Sequence, residues 1–317
     1  MSDLATGTIR VAAPAGFIAV GPGDRLGESE GQSTFRVATP QMTTFMVACA
    51  RFVETPTAST DGLPAVHLYR AALDGREQAS IARAVISFYQ KHWPRYQLPE
   101  LRIVETPTPL GEAVSFDGVV EISDRIVRSR DRVSGESSNL VQFVLAHEIA
   151  HQWWGYQVIP SKSPGRLFVL ESFAQFAAYK YLESGRIMNA EAAIQSEKNR
   201  YVRARAHLAK NEVPLPLLGQ DLELAYHKGP FVLLSLDQTL GNSLMDRFGD
   251  LIRLYTQQYR SPAPPQQIVE ALIDGLPASS RENARSLLYA TAAQPQSEVV
   301  SAKAGSSQIP QGNKDRK

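Results

Sequence analysis

LAHEIAHQWWG, Leu145 to Gly155, sets two histidines four residues apart, with a glutamate directly after the first. On a helix, residues i and i+4 share a face one turn apart, so His147 and His151 can turn both imidazoles towards one point. Glu148 sits one step round the helix, beside that point. The neighbouring positions Leu140, Val141, Val144, Leu145, Trp153 and Trp154 are apolar. Two histidines and a glutamate on such a helix are costly to bury without partners. A metal ion removes that cost: the HExxH pattern supplies two zinc ligands and a carboxylate placed to take a proton from water at the ion. A catalytic zinc takes a third protein ligand and keeps its fourth position open. Glu171, near the start of the next helical pattern, is the candidate. Two nitrogens and one oxygen suit a single Zn2+.

Outward from this motif the chain reads as helix after strand. SNLVQFVLAHEIAHQWWG begins at a Ser/Asn cap and runs to Gly155, and the loop IPSKSPGR leads to FVLESFAQFAAYKYLESG, closed by Gly185. Helical patterns follow over 190–210, 229–240, 243–259, 266–274 and 281–293, the last with a capping box at Ser279 and Glu282. Upstream, TIRVAAP, GFIAV, STFRVAT and MTTFMVACARFV are short and rich in Val, Thr, Phe and Ile, with Gly/Pro punctuation such as GPGDRLG between them. Thr55–Pro64 reads as a linker. A helix with a capping box at Asp74 and Glu77 carries Ile81, Val85, Phe88 and Tyr89 until Pro94 stops it. LRIVETP and AVSFDGVVEIS read as strands. The expected layout is α+β: a partial β-sheet domain over 1–54, a catalytic domain over 65–293, and a disordered tail over 294–317.

Composition narrows the class of function. Among 317 residues, 43% are hydrophobic and 21% charged, with a net charge of +1, so no basic stripe points to nucleic acid. One cysteine, Cys49, excludes a disulfide framework and a multi-cysteine zinc site. MSDLATGTIRV has no basic region ahead of an apolar core, and no apolar run reaches the ~18 residues of a membrane span. A soluble, cytoplasmic protein without a transmembrane segment is the default expectation.

HEIAHQWWG, then LESFAQF, then AYHKGPFVLLSL, in that order, resemble the M1 family of zinc aminopeptidases. The resemblance covers roughly residues 9–290. It implies a thermolysin-like catalytic domain, zinc bound by His147, His151 and Glu171, Glu148 as general base, and Tyr226 as hydrogen-bond donor to the oxyanion. Only the resemblance singles out Tyr226. The family's G-x-M-E-N strand, whose glutamate holds the substrate's α-amino group, corresponds to EAVSFDG, which places Val114 and Ser115 at the substrate with a hydroxyl where the glutamate would be. A hydroxyl cannot replace the ion pair with an ammonium group. Ser172 stands in place of a glycine and Gln175 often in place of a carboxylate, which bears on the surroundings of the metal.

The resulting expectation is zinc-dependent peptide hydrolysis of the M1 aminopeptidase type, acting on a peptide substrate. Two alternatives stay open: an endo- or oligopeptidase without amino-terminal selectivity, and a non-catalytic, zinc-retaining module of a larger assembly. Much of the family's flanking structure is missing, so a partner domain or subunit covering the cleft is a further expectation. The scattered His67, His92, His207 and His227 read as surface or satisfied polar residues, with His227 singled out as Tyr226's neighbour. Lys198, Arg200, Arg203, Arg205 and Lys210 read as a solvated basic face.

Overall fold

The structure, a computed structural model, describes residues 4–29, 31–42, 46–60, 62–70, 75–107, 112–129, 136–207, 212–258 and 262–291. The tail expected at 294–317, the side chain of His207 and the cap residue Asp74 lie outside the described residues.

The N-terminal residues that the sequence marks as β form two small sheets. β1 (Leu4–Ala12) and β3 (Asp24–Ser29) flank β4 (Gln32–Met42) in an antiparallel sheet, while β2 (Ile18–Val20) pairs with β5 (Ala48–Ala50). GPGDRLG is not all punctuation: Asp24–Ser29 pairs with β4, and a register shift at Gly27, with φ of 125°, takes up the glycine.

The main sheet has the order β6-β7-β8-β10-β9 and comprises β6 (Val53–Thr57), β7 (Ala65–Arg70), β8 (Glu100–Thr106), β9 (Ala113–Phe116) and β10 (Val119–Ser123). β7, β8 and β10 run parallel, and β6 and β9 are antiparallel edges. β6 extends into the expected linker. β7 was invisible to the pattern because His67 and Arg70 interrupt its apolar run. Both are paired, His67 Nδ1 with Glu54 at 2.6 Å and Arg70 with Glu105, so a strand buried on both faces can hold them. AVSFDGVVEIS is two strands, turning at Asp117-Gly118 where Gly118 has φ of 73°. Buried Arg102 on β8 donates to the Gly23 carbonyl at 2.6 Å and to that of Gly21, and lies over the Phe35 ring, fastening the small sheets to the main one.

The chain crosses from β7 to β8 through α1 (Arg76–His92). Its N-cap is Gly75, which has no side chain to cap with and whose N–H donates to Thr55 Oγ1 at 3.1 Å. The buried stripe Ala79, Ala82, Val85, Ile86 and Tyr89 packs towards α3 (Glu136–Ala150), which α2 (Asp124–Ser129) precedes. α3 is covered on all sides at its C-terminal end, where Leu145, Ala146, Ile149 and Ala150 are fully buried. It stops at Ala150, not Gly155, and residues 151–153 continue as turns. Aromatic packing fixes that end. Tyr89 donates its hydroxyl to the Ala146 carbonyl at 2.9 Å, Trp153 donates Nε1 to the Pro94 carbonyl at 2.9 Å, and Tyr89 stacks on Trp93 at 4.6 Å.

The rest of the chain is helical: α4 (Phe173–Ser184), α5 (Ala190–His207), α6 (Gly229–Thr239), α7 (Leu244–Gln258), α8 (Pro265–Asp274) and α9 (Ala278–Tyr289). α9 starts earlier than the Ser279/Glu282 reading, at a cap residue Pro277 with φ of −52° and no side-chain hydrogen bond. The whole is mixed helix and sheet, with strands predominating before α2 and helices alone after it. No helix among the described residues is long and apolar enough to cross a membrane.

Candidate active site

His147 and His151 come together as their spacing requires, although the second lies just beyond the helix. Their Nε2 atoms are 3.2 Å apart, and the Glu171 Oε2 atom lies 3.4 Å from the first and 3.5 Å from the second. Among the described residues these three form the one group of histidine, cysteine and acidic side chains disposed to hold a metal ion. A cation bound tetrahedrally at about 2.0–2.1 Å needs donor atoms about 3.3 Å apart, which is the triangle found here. His151 Nδ1 lies 3.1 Å from the Trp154 carbonyl, so it carries the hydrogen and leaves Nε2 as a lone-pair donor. Glu171 Oε2 is buried with no hydrogen bond, an orphan that a cation would satisfy.

The electrostatics agree with a site built for positive charge. Burial alone would lower the His151 pKa, but the Glu171 carboxylate beside it wins and pushes it up to about 9. Burial would raise Glu171, yet the two imidazoles hold its carboxyl well below the usual range. Burial pushes the Glu148 carboxyl up, and the histidines only partly oppose this. A buried Glu171 carboxylate held in its charged form beside two imidazoles is a set of donors that a divalent ion would complete.

Glu171 and Tyr226 both sit on π-helical turns, Phe168–Ser172 ahead of α4 and Leu224–Lys228 ahead of α6. Such turns widen a helix locally and re-aim its side chains. The two turns are in contact. Ser172 donates to the Ala225 carbonyl at 2.6 Å, and a Cβ at Gly229 would lie 1.9 Å from Ser172 Oγ. Ser172, flagged by sequence as a change near the metal, thus ties the turn of Glu171 to that of Tyr226, and Gly229 has no side chain because Ser172 fills the space. Gly229→Ala is expected to cost about 1–3 kcal/mol by overpacking. Denaturant melts should show the loss, and pairing with Ser172→Gly should recover most of it. A neutral Gly229→Ala would remove this account of the packing.

Tyr226 lies against His147, with ring centroids 5.8 Å apart and planes 25° from parallel. Burial and the neighbouring Glu171 carboxylate keep its hydroxyl protonated. Its two successors anchor the turn. His227 Nδ1 is 2.8 Å from Glu197 Oε2, and fully buried Lys228 reaches Glu212 Oε2 and the Ala290 carbonyl at 2.7 Å each. His227 lines neither cavity at the triad. The basic stretch is not merely solvated either: Arg205 pairs with buried Glu212, and Arg200 reaches Glu197 at 3.8 Å.

Two cavities flank the triad and share Ala113, Glu148 and Tyr226 as a common rim. The one of about 420 Å³ lies on the His147 side, and the one of about 250 Å³ on the side of His151 and Glu171. Val114 and Ser115 line the second. Ser115 is not free to reach into it: its hydroxyl accepts from Gln152 Nε2 at 2.7 Å, and its carbonyl accepts from the Tyr156 hydroxyl at 2.8 Å. The sequence reading passed over Gln152 and Tyr156. A glutamine directly after the second histidine, next to two tryptophans, was a visible signal of a buried polar bridge.

The sequence model described as the Peptidase family M1 domain matches residues 78–287, about two thirds of the chain. The chain belongs to peptidase family M1. This M1 chain is 25% identical over 241 residues to a "Probable aminopeptidase 2" of Sulfurisphaera tokodaii, a match over 70% of the chain and 29% of that relative. With a "Probable aminopeptidase 1" of Saccharolobus solfataricus it shares 29% over 170 residues, 51% of the chain and 21% of the relative. It therefore spans less than a third of the length of these curated relatives. In fold it is similar to an M1 zinc metallopeptidase from Deinococcus radiodurans, with a TM-score of 0.68 at 19% identity over 93% of this chain and 66% of that one.

Proposed function

We propose that this M1 chain hydrolyses peptide bonds with zinc held by His147, His151 and Glu171, in the manner of the aminopeptidases it resembles. The observation that carries the reading is the donor triangle with sides of 3.2, 3.4 and 3.5 Å beside buried Glu148. When bound, zinc supplies a Lewis acid that makes water nucleophilic near neutral pH. Glu148, one position round from the ligand histidine, takes a proton from the attacking water and returns it to the leaving nitrogen. Tyr226 donates its hydroxyl to the oxygen that becomes negative as the carbonyl is attacked, a contribution of roughly 3–4 kcal/mol for such donors. The buried aromatic cluster below α3 holds both histidines in register and keeps water from the protein side of the site.

A second reading concerns the amino side of the substrate. Ser115 Oγ is engaged by Gln152, and among the described residues the only carboxylates lining the smaller cavity are Glu148 and Glu171, both with other work. That favours cleavage without a requirement for a free α-amino group. The exposed apolar Val114 and Leu140 at the cleft rim also suit a covering domain or subunit. One experiment tests the activity and this reading together: matched free-amine and N-acetyl peptides, with chelator and with zinc restored. Hydrolysis that chelation abolishes and zinc restores is expected, with rates for the two peptide forms within about tenfold. A hundredfold preference for free amines would return the chain to strict aminopeptidase action, and chelator-resistant hydrolysis would remove the proposed zinc chemistry.

A further inference from the structure

The larger cavity has two unlike walls. α3 presents Leu140, Phe143 and Val144, all apolar, while α4 and α5 bring the polar Gln175, Ser196 and Arg200 beside Tyr179 and Leu182. Gln175 is 95% buried by its 5% exposure, lines the cavity, and none of the described residues takes a hydrogen bond from its amide or gives one to it. The amide meets the cavity without a partner from the protein, so a ligand group bonded to it takes the place of water there. Gln175 lines the larger cavity together with His147, whereas Glu171, four residues earlier and on the π-turn, lines the smaller one. A group bonded to Gln175 therefore lies on the His147 side of the triad.

We propose that this cavity seats an aromatic side chain bearing a hydrogen-bonding group, tyrosine in preference to phenylalanine, with the ring against Leu140, Phe143 and Val144 and its polar edge paired with the Gln175 amide. The proposal rests on the peptidase reading above and names the residue flanking the scissile bond on the His147 side. Apolar surface on one wall and donors on the other match an amphipathic ring better than a purely apolar side chain. A site with a buried group waiting for a substrate hydroxyl discriminates against the analogue that lacks it, because the group is then left unpaired.

The test compares kcat/KM for peptide pairs that differ only by Tyr or Phe, placed in turn at each of the two positions flanking the cleaved bond. At one position tyrosine should be favoured by about tenfold, and Gln175→Met, close in shape and without the amide, should bring that ratio near one. Equal rates for Tyr and Phe at both positions, or a Tyr preference that survives Gln175→Met, would overturn the proposal. Binding of tyrosinamide against phenylalaninamide to the zinc-loaded protein gives the same ratio without turnover. A chain that hydrolyses nothing but binds tyrosinamide about tenfold more tightly, Gln175-dependently, would fail the peptidase reading and keep this one.

Discussion

Glu148→Gln is expected to reduce kcat by a factor of about 10³–10⁴ while zinc content and substrate KM change little. Glutamine keeps the size of the side chain and its place on α3, so the packing around Ile149 and Ala150 should be undisturbed. It removes the one function Glu148 is positioned for. The carboxylate is 7% exposed, lines both cavities, and lies next in sequence to a ligand histidine without belonging to the donor triangle. Burial raises its pKa, which brings its basicity closer to that needed for moving protons near neutral pH. An amide can neither accept nor return a proton at such pH. Metal analysis of the purified variant should give the same stoichiometry as the parent. A variant that turns over peptides at the parent rate would remove Glu148 from the reaction, whatever its metal content.

The donor triangle was readable from spacing because a helix fixes where i+4 goes, and the turn after Ala150 preserves that relation. Glu171 was readable as a candidate, but not the π-turn that aims it, since a π-turn and an α-turn share the same apolar sequence. Tyr226 came only from its resemblance to a family motif. The reason that motif ends in glycine here is a contact with Ser172, more than fifty residues away in sequence, and no local pattern encodes it. The same holds for β7: a strand carrying His67 and Arg70 looks polar until Glu54, Glu100 and Glu105 are placed beside it. Ser115 shows the limit in the other direction. Its residue type offers no carboxylate at that position, and its hydrogen bonds to Gln152 and Tyr156 depend on the turn after α3. Local periodicity carried the elements, and long-range pairing of polar groups decided what each of them holds.

Glu171→Ala should weaken zinc binding by at least about a hundredfold and bring hydrolysis at stoichiometric zinc to background. Second-layer substitutions around metal ligands already cost about 10–100-fold, and this one removes a donor outright. The two remaining imidazoles, 3.2 Å apart at Nε2, would share the ion without the carboxylate that offsets its charge. A thermal melt separates this from simple misfolding. At zinc a hundredfold above the dissociation constant, binding adds about 2.7 kcal/mol to the parent's stability. For a chain of this size that raises Tm by roughly 4 °C. Glu171→Ala should fold without zinc and show little of that rise, because its dissociation constant then equals or exceeds the zinc added. Glu171→Gln, which keeps an oxygen at the same place but not the charge, should fall between the two. If Glu171→Ala binds zinc as tightly as the parent and gains the same Tm, the third ligand lies elsewhere and the triangle is not the metal centre.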